Sequence, residues 1–469
     1  MTNYLDEVIV SPLQEHPENI LTSEFLISES QSRSISKDEI RASLHASTLD
    51  GVFATIFSNI TGGVLLSNFL VELDATSLQI GMLASIPMVA NLLQPLGAHW
   101  ADRTTSRRWY GFWIYGVSRL LWLPLAIAVV VFSWHPVHPQ QMITATLAVL
   151  LTTHVLGALG SASWLSWLAT LVPAQLRGRY FGFRNSTFSL TSLVALPLLG
   201  MVVSHWIGGS IQGFGVMMVL AVIAGLISLG FQAQMEDVNP AEPKAFTGKV
   251  GHSSSPTDQS FPQDGQFILL LLYFGLWSFG VNLSNPFFNL YLLDNLALDV
   301  SWVTLYNGLG AGANLLMLLF WGKLADRIGN RAILLIDGLL VAMIPLLWLG
   351  TDAGSFSIWL WFPLLHLLGG GAGAAIDLCL NNLQLAVAPV RHYTKYFAIT
   401  AAIGGVFGAL GALVGGWLAE LTEAGGITGV FALSSVLRLV ALLPLVWLRE
   451  PQRRSLRETL QRFIQPAEL

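Results

Sequence analysis

One cysteine, Cys379, stands in 469 residues. It excludes an intrachain disulfide and any cysteine-based metal site. Charge is nearly as scarce. Asp, Glu, Lys and Arg make up 11% of the chain, where a soluble domain carries about 25%. No Gly-x-x-x-x-Gly-Lys stretch is present to cradle a phosphate, and the ten histidines show no metal-ligand spacing. No nucleotide, metal or other cofactor is implied, and the chain is not expected to be an enzyme. The net charge of −5 argues against a nucleic-acid partner. Residues 1–45 are polar and acidic and lack the apolar core of a signal peptide. The most telling absence is positional. None of the 23 Lys and Arg residues falls on one of the two alternating sets of loops between apolar stretches.

Those stretches dominate what is present. Hydrophobic residues are 53% of the chain, with 44 Gly and 16 Trp, and the mean hydropathy is +0.61. The pattern predicts an all-α integral membrane protein with twelve transmembrane helices, at about 49–72, 77–99, 109–132, 141–171, 184–205, 211–234, 266–292, 298–321, 332–350, 356–382, 393–419 and 427–448. Each is long enough to cross a hydrocarbon core of roughly 30 Å. Basic clusters (Arg33 to Arg41, Arg103 to Arg108, Arg177 to Arg184, Lys244 and Lys249, Lys323 to Arg331, Arg391 and Lys395, Arg449 to Arg462) all fall on the side of the termini. The other loops carry acids such as Glu72, Asp299, Asp352 and Glu420. Lys and Arg are retained on the cytoplasmic side, so both termini are expected in the cytoplasm and the protein in the cytoplasmic (inner) membrane, with the lipid bilayer as its partner.

The expected organisation is a mostly disordered tail (1–45), a six-helix bundle (46–234), a Pro-, Ser- and charge-rich linker (235–265), a second six-helix bundle (266–448) and a basic tail (449–469). Ser36 to Glu39 has capping-box spacing, which predicts a short helix leading into the first span. The bundles repeat. Trp100-Ala-Asp-Arg103 matches Leu324-Ala-Asp-Arg327, with Arg107 matching Arg331. Pro173 with Tyr180-Phe181-Gly182 matches Pro389 with Tyr396-Phe397-Ala398. Internal repeats of this kind mark secondary transporters. The stretch Gly322-Lys-Leu-Ala-Asp326-Arg327-Ile-Gly329-Asn-Arg331 resembles the loop signature of the major facilitator superfamily, and its copy between spans 2 and 3 is degenerate, with Ala98 and Thr105 at the glycine positions.

The resemblance implies two pseudo-symmetric six-helix bundles, a monomer, and alternating access for a small-molecule substrate. It implies gating roles for Asp102, Arg103, Arg107, Gly322, Asp326, Arg327, Gly329 and Arg331. For the arginines, plain cytoplasmic placement is an equal explanation. It also implies that spans 1, 4, 7 and 10 line a central cavity. Residues three or four apart share a helix face, and these spans offer polar stripes. Span 7 has Ser278, Asn282, Asn285 and Asn289 around Pro286. Span 10 has His366, Gly370, Gly373, Asp377 and Asn381. Span 4 has His154, Gly157, Ser161 and Trp164, and span 1 has Thr55, Asn59 and Gly62. Asn59, His154, Ser161, Trp164, Ser278, Asn282, Asn285, Asn289 and His366 are the candidate substrate contacts. Hydrogen bonding between helices is the plainer use of the same residues.

Ionisable groups inside a membrane are costly and become functional candidates. Asp377 is the candidate proton-coupling residue, the alternative being a solvated carboxylate in the cytoplasmic vestibule. His154 and His366 offer proton or substrate sites, or structural hydrogen bonds. Asp337 reads as interfacial. Arg119 and Arg438, on spans that are peripheral in similar proteins, read as structural anchors. An amide-rich cavity suits a neutral or zwitterionic solute. Span 5 reads Leu196-Pro197-Leu-Leu-Gly200, without the flanking glycines of similar drug–proton antiporters. The expectation is proton-coupled transport of a small organic solute. The rivals are drug or amphipathic-metabolite efflux and a non-transporting receptor or assembly factor on the same fold.

Overall fold

The computed structural model of the protein describes residues 37–104, 106–132, 138–172, 177–237, 265–387, 393–421 and 425–448. Every regular element among them is helical. In chain order these are α1 (Lys37–Ile60), α2 (Gly63–Val71), α3 (Ser77–Ala90), α4 (Gln94–Asp102), α5 (Arg107–Leu120), α6 (Trp122–Phe132), α7 (Pro139–Leu171), α8 (Arg177–Ser204), α9 (Ser210–Ala233), α10 (Gly265–Leu290), α11 (Val300–Ile328), α12 (Asn330–Leu347), α13 (Phe362–Val387), α14 (Tyr393–Glu420), α15 (Gly426–Ala441) and α16 (Leu443–Trp447). A π turn at Tyr291–Asn295 extends α10, and another at Ser357–Trp361 precedes α13. Joined end to end, these give twelve segments long and apolar enough to cross a membrane.

Local chemistry sets the ends and breaks. Thr76 and Gln79 form a capping box that starts α3. Asp299 caps α11, accepting from the Ser301 amide at 2.8 Å. Gly329, at φ +95°, makes the one-residue turn between α11 and α12; a side chain there would be strained. Span 1 is broken where Gly62 is fully extended and Gly63 has φ +55°, so α1 and α2 are separate rods.

The two halves share one contact plan. In the first, span 1 packs on spans 5 and 6, span 3 on 4 and 6, and span 2 on 4. In the second, span 7 packs on 11 and 12, span 9 on 10 and 12, and span 8 on 10. The basic loop residues serve this plan. Arg108 Nη1 donates to the Ala233 and Met235 carbonyls at the end of span 6 (3.4 and 3.3 Å). Arg331 Nε donates to the Leu445 carbonyl (2.8 Å), and its Nη2 to Val446, at the end of span 12. Cations suit helix C-termini, where carbonyls lack intrahelical partners. The geometric counterpart of Arg331 is therefore Arg108, one residue beyond the Arg107 that the loop alignment paired with it.

The halves meet where α3 crosses α14 and α8 crosses α11. Glycine lets backbones touch there. A Cβ on Gly81 would lie 2.5 Å from the Ala412 carbonyl oxygen, one on Gly416 2.7 Å from that of Ser77, and one on Gly200 2.0 Å from Thr304 Oγ1. Two hydrogen bonds join the halves at the same end, Leu78 N to Glu420 (2.9 Å) and Ser204 Oγ to Asp299. These contacts run from mid-depth to the face opposite the one where α1 begins and α16 ends. On the terminal-face half of α13, Asp377 and Asn381 are exposed.

Candidate functional site

Two lobes of a central cavity lie at mid-depth. Lobe 1, about 500 Å³, is walled mainly by the first half, including the Gly62–Gly63 break, Met88, Arg119, Trp122 and His154. Lobe 2, about 480 Å³, lies in the second half and is lined by residues including Trp277, Trp348, His366, Asp377 and Arg438. Asn285 and Asn289 of α10 line both and form the partition between them. Both volumes suit a small organic ligand.

Span 7 supplies the amides as its polar stripe predicted. Asn289 Oδ1 accepts from Asn307 Nδ2 at 2.9 Å, and Asn307 also donates to the Val303 carbonyl. Asn282 lines lobe 1 and donates to the Ser278 carbonyl at 2.8 Å. Asn285 is exposed to the cavity. His366 Nδ1 donates to the Phe362 carbonyl at 2.8 Å, which leaves Nε2 as an acceptor. Its ring sits 5.4 Å from that of Tyr306 and 5.6 Å from that of Trp348.

Other predicted contacts are taken up in packing. Asn59 pairs with Ser192 of α8 (3.3 Å), Ser278 donates to the Gly404 carbonyl (2.8 Å), and Ser161 donates to Ala158 of its own helix (3.0 Å). Trp164 carries the Arg184 guanidinium 4.5 Å above its ring. Bonds between helices take Asn59 and Ser278, a bond within its own helix takes Ser161 and a cation–π contact takes Trp164, and none of the four lines either lobe. Among the gating candidates, Arg103 and Arg327 are exposed and Arg107 is buried. A Cβ on Gly322 would lie 4.0 Å from Leu378 Cδ2. The side chains of Asp102 and Asp326 lie outside the described residues, as do the 1–36 and 449–469 tails and the linker from 238.

Three ionisable groups depart from the reading by sequence. Arg119 and Arg438 are interior residues that line lobe 1 and lobe 2. Arg119 Nη1 donates to the Gly225 carbonyl (2.6 Å) and Nη2 to Ser228 Oγ (2.9 Å), and Ser228 donates in turn to Asp50. Asp50 falls within the expected first span but was not singled out there; α1 carries it, and it is buried. Asp337 is 2% exposed rather than interfacial, with both carboxylate oxygens buried and without a hydrogen-bond partner. Asn307, from span 8, was also missed; a lone Asn outside the expected cavity helices gave no pattern to follow.

Comparisons agree with this architecture. A family model described as Major Facilitator Superfamily matches residues 51–384 and 267–466. Over 133 residues, 28% of this chain, the sequence is 39% identical to "Multidrug resistance protein MdtG" of Enterobacter lignolyticus (strain SCF1); the match spans 29% of that relative's length. A crystal structure of a D-xylose-proton symporter aligns with a TM-score of 0.67 at 15% identity, covering 89% of this chain and 100% of that one. A crystal structure of the nucleoside transporter NupG aligns with a TM-score of 0.60 at 13% identity, covering 92% of this chain and 100% of that one. At such identities the likeness is one of fold.

Proposed function

The chain belongs to the major facilitator superfamily, and from that membership we propose that it carries a small uncharged or zwitterionic organic solute across the cytoplasmic membrane by alternating access, coupled to protons. The observation that carries this reading is the two-lobed cavity at mid-depth, walled by both halves and sealed at the face opposite the one where α1 begins and α16 ends. With the basic loops in the cytoplasm, this state is inward-facing. The cycle then rocks one half against the other. The glycine contacts of α3–α14 and α8–α11 part, and the loops carrying Asp102 and Asp326 brace the cytoplasmic side.

The lining supports the solute class. Amides from Asn282, Asn285 and Asn289 donate and accept, and Trp122, Trp277 and Trp348 offer apolar faces. Asp377 lines lobe 2 and stands exposed on the cytoplasmic half of α13, where it can exchange a proton with the cytoplasm in this state. The protein works as a monomer, with no covalent chemistry. A second reading, efflux of amphipathic compounds, is favoured by the partial match to the multidrug resistance relative and by the same aromatic walls.

Purified protein in liposomes tests the proposal. Solute uptake should follow an imposed pH difference and fall in Asn285→Ala, which opens the partition without touching either seal. A protein that binds solutes yet moves none under any gradient would be a receptor on this fold, and the transport reading would be abandoned.

A further inference from the structure

Each lobe holds one mid-depth arginine, and the two are balanced differently. Arg119 reaches the Asp50 carboxylate through Ser228. Arg438 is 3% exposed and directs three N–H groups to neutral acceptors: the Val341 carbonyl (2.9 Å), the Val281 carbonyl (3.3 Å) and Ser284 Oγ (2.8 Å). Its Nε has no hydrogen-bond partner, and among the described residues Arg438 makes no ion pair. Asp337 lies one helical turn from Val341, yet both its oxygens are unpartnered as well. A guanidinium buried without a counter-charge is costly, and removing it from water is compensated only by an anion or a full set of acceptors. Here the acceptor set is incomplete and the residue lines a cavity.

We propose that Arg438 is the docking point for a carboxylate on the transported solute, seated in lobe 2 with its apolar body against Trp277, Phe288 and Trp348. The word transported rests on the function proposed above, and the inference narrows that solute to one carrying a single carboxylate. The guanidinium charge, with the one Nη1 N–H that its protein acceptors leave over, matches a carboxylate oxygen, and Asn285 and Asn289 supply further polar contacts on the partition. One unbalanced cation calls for one negative charge. Asp377 on the same lobe disfavours a second carboxylate or a phosphate dianion, and would receive an ammonium group where the solute has one.

The test is ligand stabilisation of the full chain in nanodiscs against matched pairs: indole-3-acetate and indole-3-acetamide, phenylacetate and phenylacetamide, tryptophan and tryptophanamide, with inorganic phosphate alongside. At least one acid should raise the melting temperature and bind about tenfold or more tighter than its amide, the worth of a charge-assisted hydrogen bond. Arg438→Gln should remove that preference. Should Arg438→Gln fail to fold, Arg438→Lys keeps the charge without the guanidinium and should retain the preference at weaker affinity. A structural role alone would lower the melting temperature and leave the acid-to-amide ratio intact. The proposal is overturned if no acid stabilises, if acid and amide bind alike, if phosphate matches the acids, or if either variant leaves both ratio and affinity unchanged. Acid binding without flux in liposomes would instead remove the transport reading. Equal flux of acid and amide would keep transport and remove this site.

Discussion

Two adjacent glycines of α14 face different halves of the molecule, and substituting each alone separates gating from folding. A Cβ on Gly416 would meet the Ser77 carbonyl oxygen of α3 at 2.7 Å and Leu78 Cα at 2.9 Å, across the seal. A Cβ on Gly415 would meet the Leu283 carbonyl oxygen of its own half at 2.1 Å. Ordinary contact begins near 3.4 Å, so Gly416→Ala must push α3 and α14 apart by about 0.7 Å or tolerate the overlap. Overpacking of this kind costs about 1–3 kcal/mol, and at Gly416 the cost falls on the sealed state alone. The equilibrium should shift toward the outward-open state by about 5- to 150-fold. Gly415→Ala strains both states alike, so it should lower the melting temperature without moving that equilibrium. The reporter is Asn285→Cys in a Cys379→Ser background, labelled from outside intact cells with an impermeant maleimide. Labelling should rise in rate with Gly416→Ala and stay at the parent rate with Gly415→Ala. Equal rates in the two glycine variants would refute the claim that α3–α14 is the outer seal.

Asp377→Asn should abolish accumulation driven by a pH difference while downhill exchange of solute stays measurable, because the amide mimics the protonated carboxyl in shape; accumulation that survives would remove Asp377 from coupling. At the outer seal, partial burial works to raise the Asp299 carboxyl, but hydrogen bonds from Ser204 and Ser301 outweigh it and hold the group below its ordinary 3.8. A carboxyl lowered in this way contributes to closure above its ordinary value and loses that contribution only as pH falls through the depressed one. External labelling at position 285, taken relative to a fully exposed cysteine so that the thiolate fraction cancels, should therefore be flat from about pH 5 to 8, and a rise centred in that window would contradict the assignment. Arg331→Ala and Arg108→Ala each remove a charged donor from the last carbonyls of spans 12 and 6, and each should cost about 1–3 kcal/mol of stability, read as a lower melting temperature with the same labelling rate; a change in labelling rate would reinstate a gating role.

The helix count, the repeat and the family were legible because they rest on long-range regularities: apolar runs, sidedness of Lys and Arg, and a loop signature. The span 7 stripe was legible for a related reason, since a row of amides at helical spacing has one face and α10 presents it to both lobes. Residues such as Asn59, Ser161 and Ser278 were not separable in advance. A small polar side chain bonds to a neighbouring helix or faces a cavity depending on helix rotation, which periodicity alone leaves free. Asp50 lay inside the expected first span but off the stripe of Thr55, Asn59 and Gly62, so periodicity did not single it out. Arg119 and Arg438 were visible as anomalies, but family analogy put their helices at the periphery. A long side chain reaches inward from such a helix to unpaired carbonyls and hydroxyls at the cavity wall.

The break at Gly62–Gly63 divides ownership of span 1. Below it, α1 packs on α8 and α9 of its own half; above it, α2 touches α10, α11 and the π turn of the other half. Chain connectivity assigns residues 63–71 to one bundle, whereas their neighbours assign them largely to the other. A rigid-body description with the border at the linker would then misplace this segment. When the bundles separate, α2 has two possible loyalties. The strain of choosing between them falls on the two glycines, which are the positions best able to yield. A probe on α2 should therefore report a different motion from a probe on α1, although fewer than ten residues separate them.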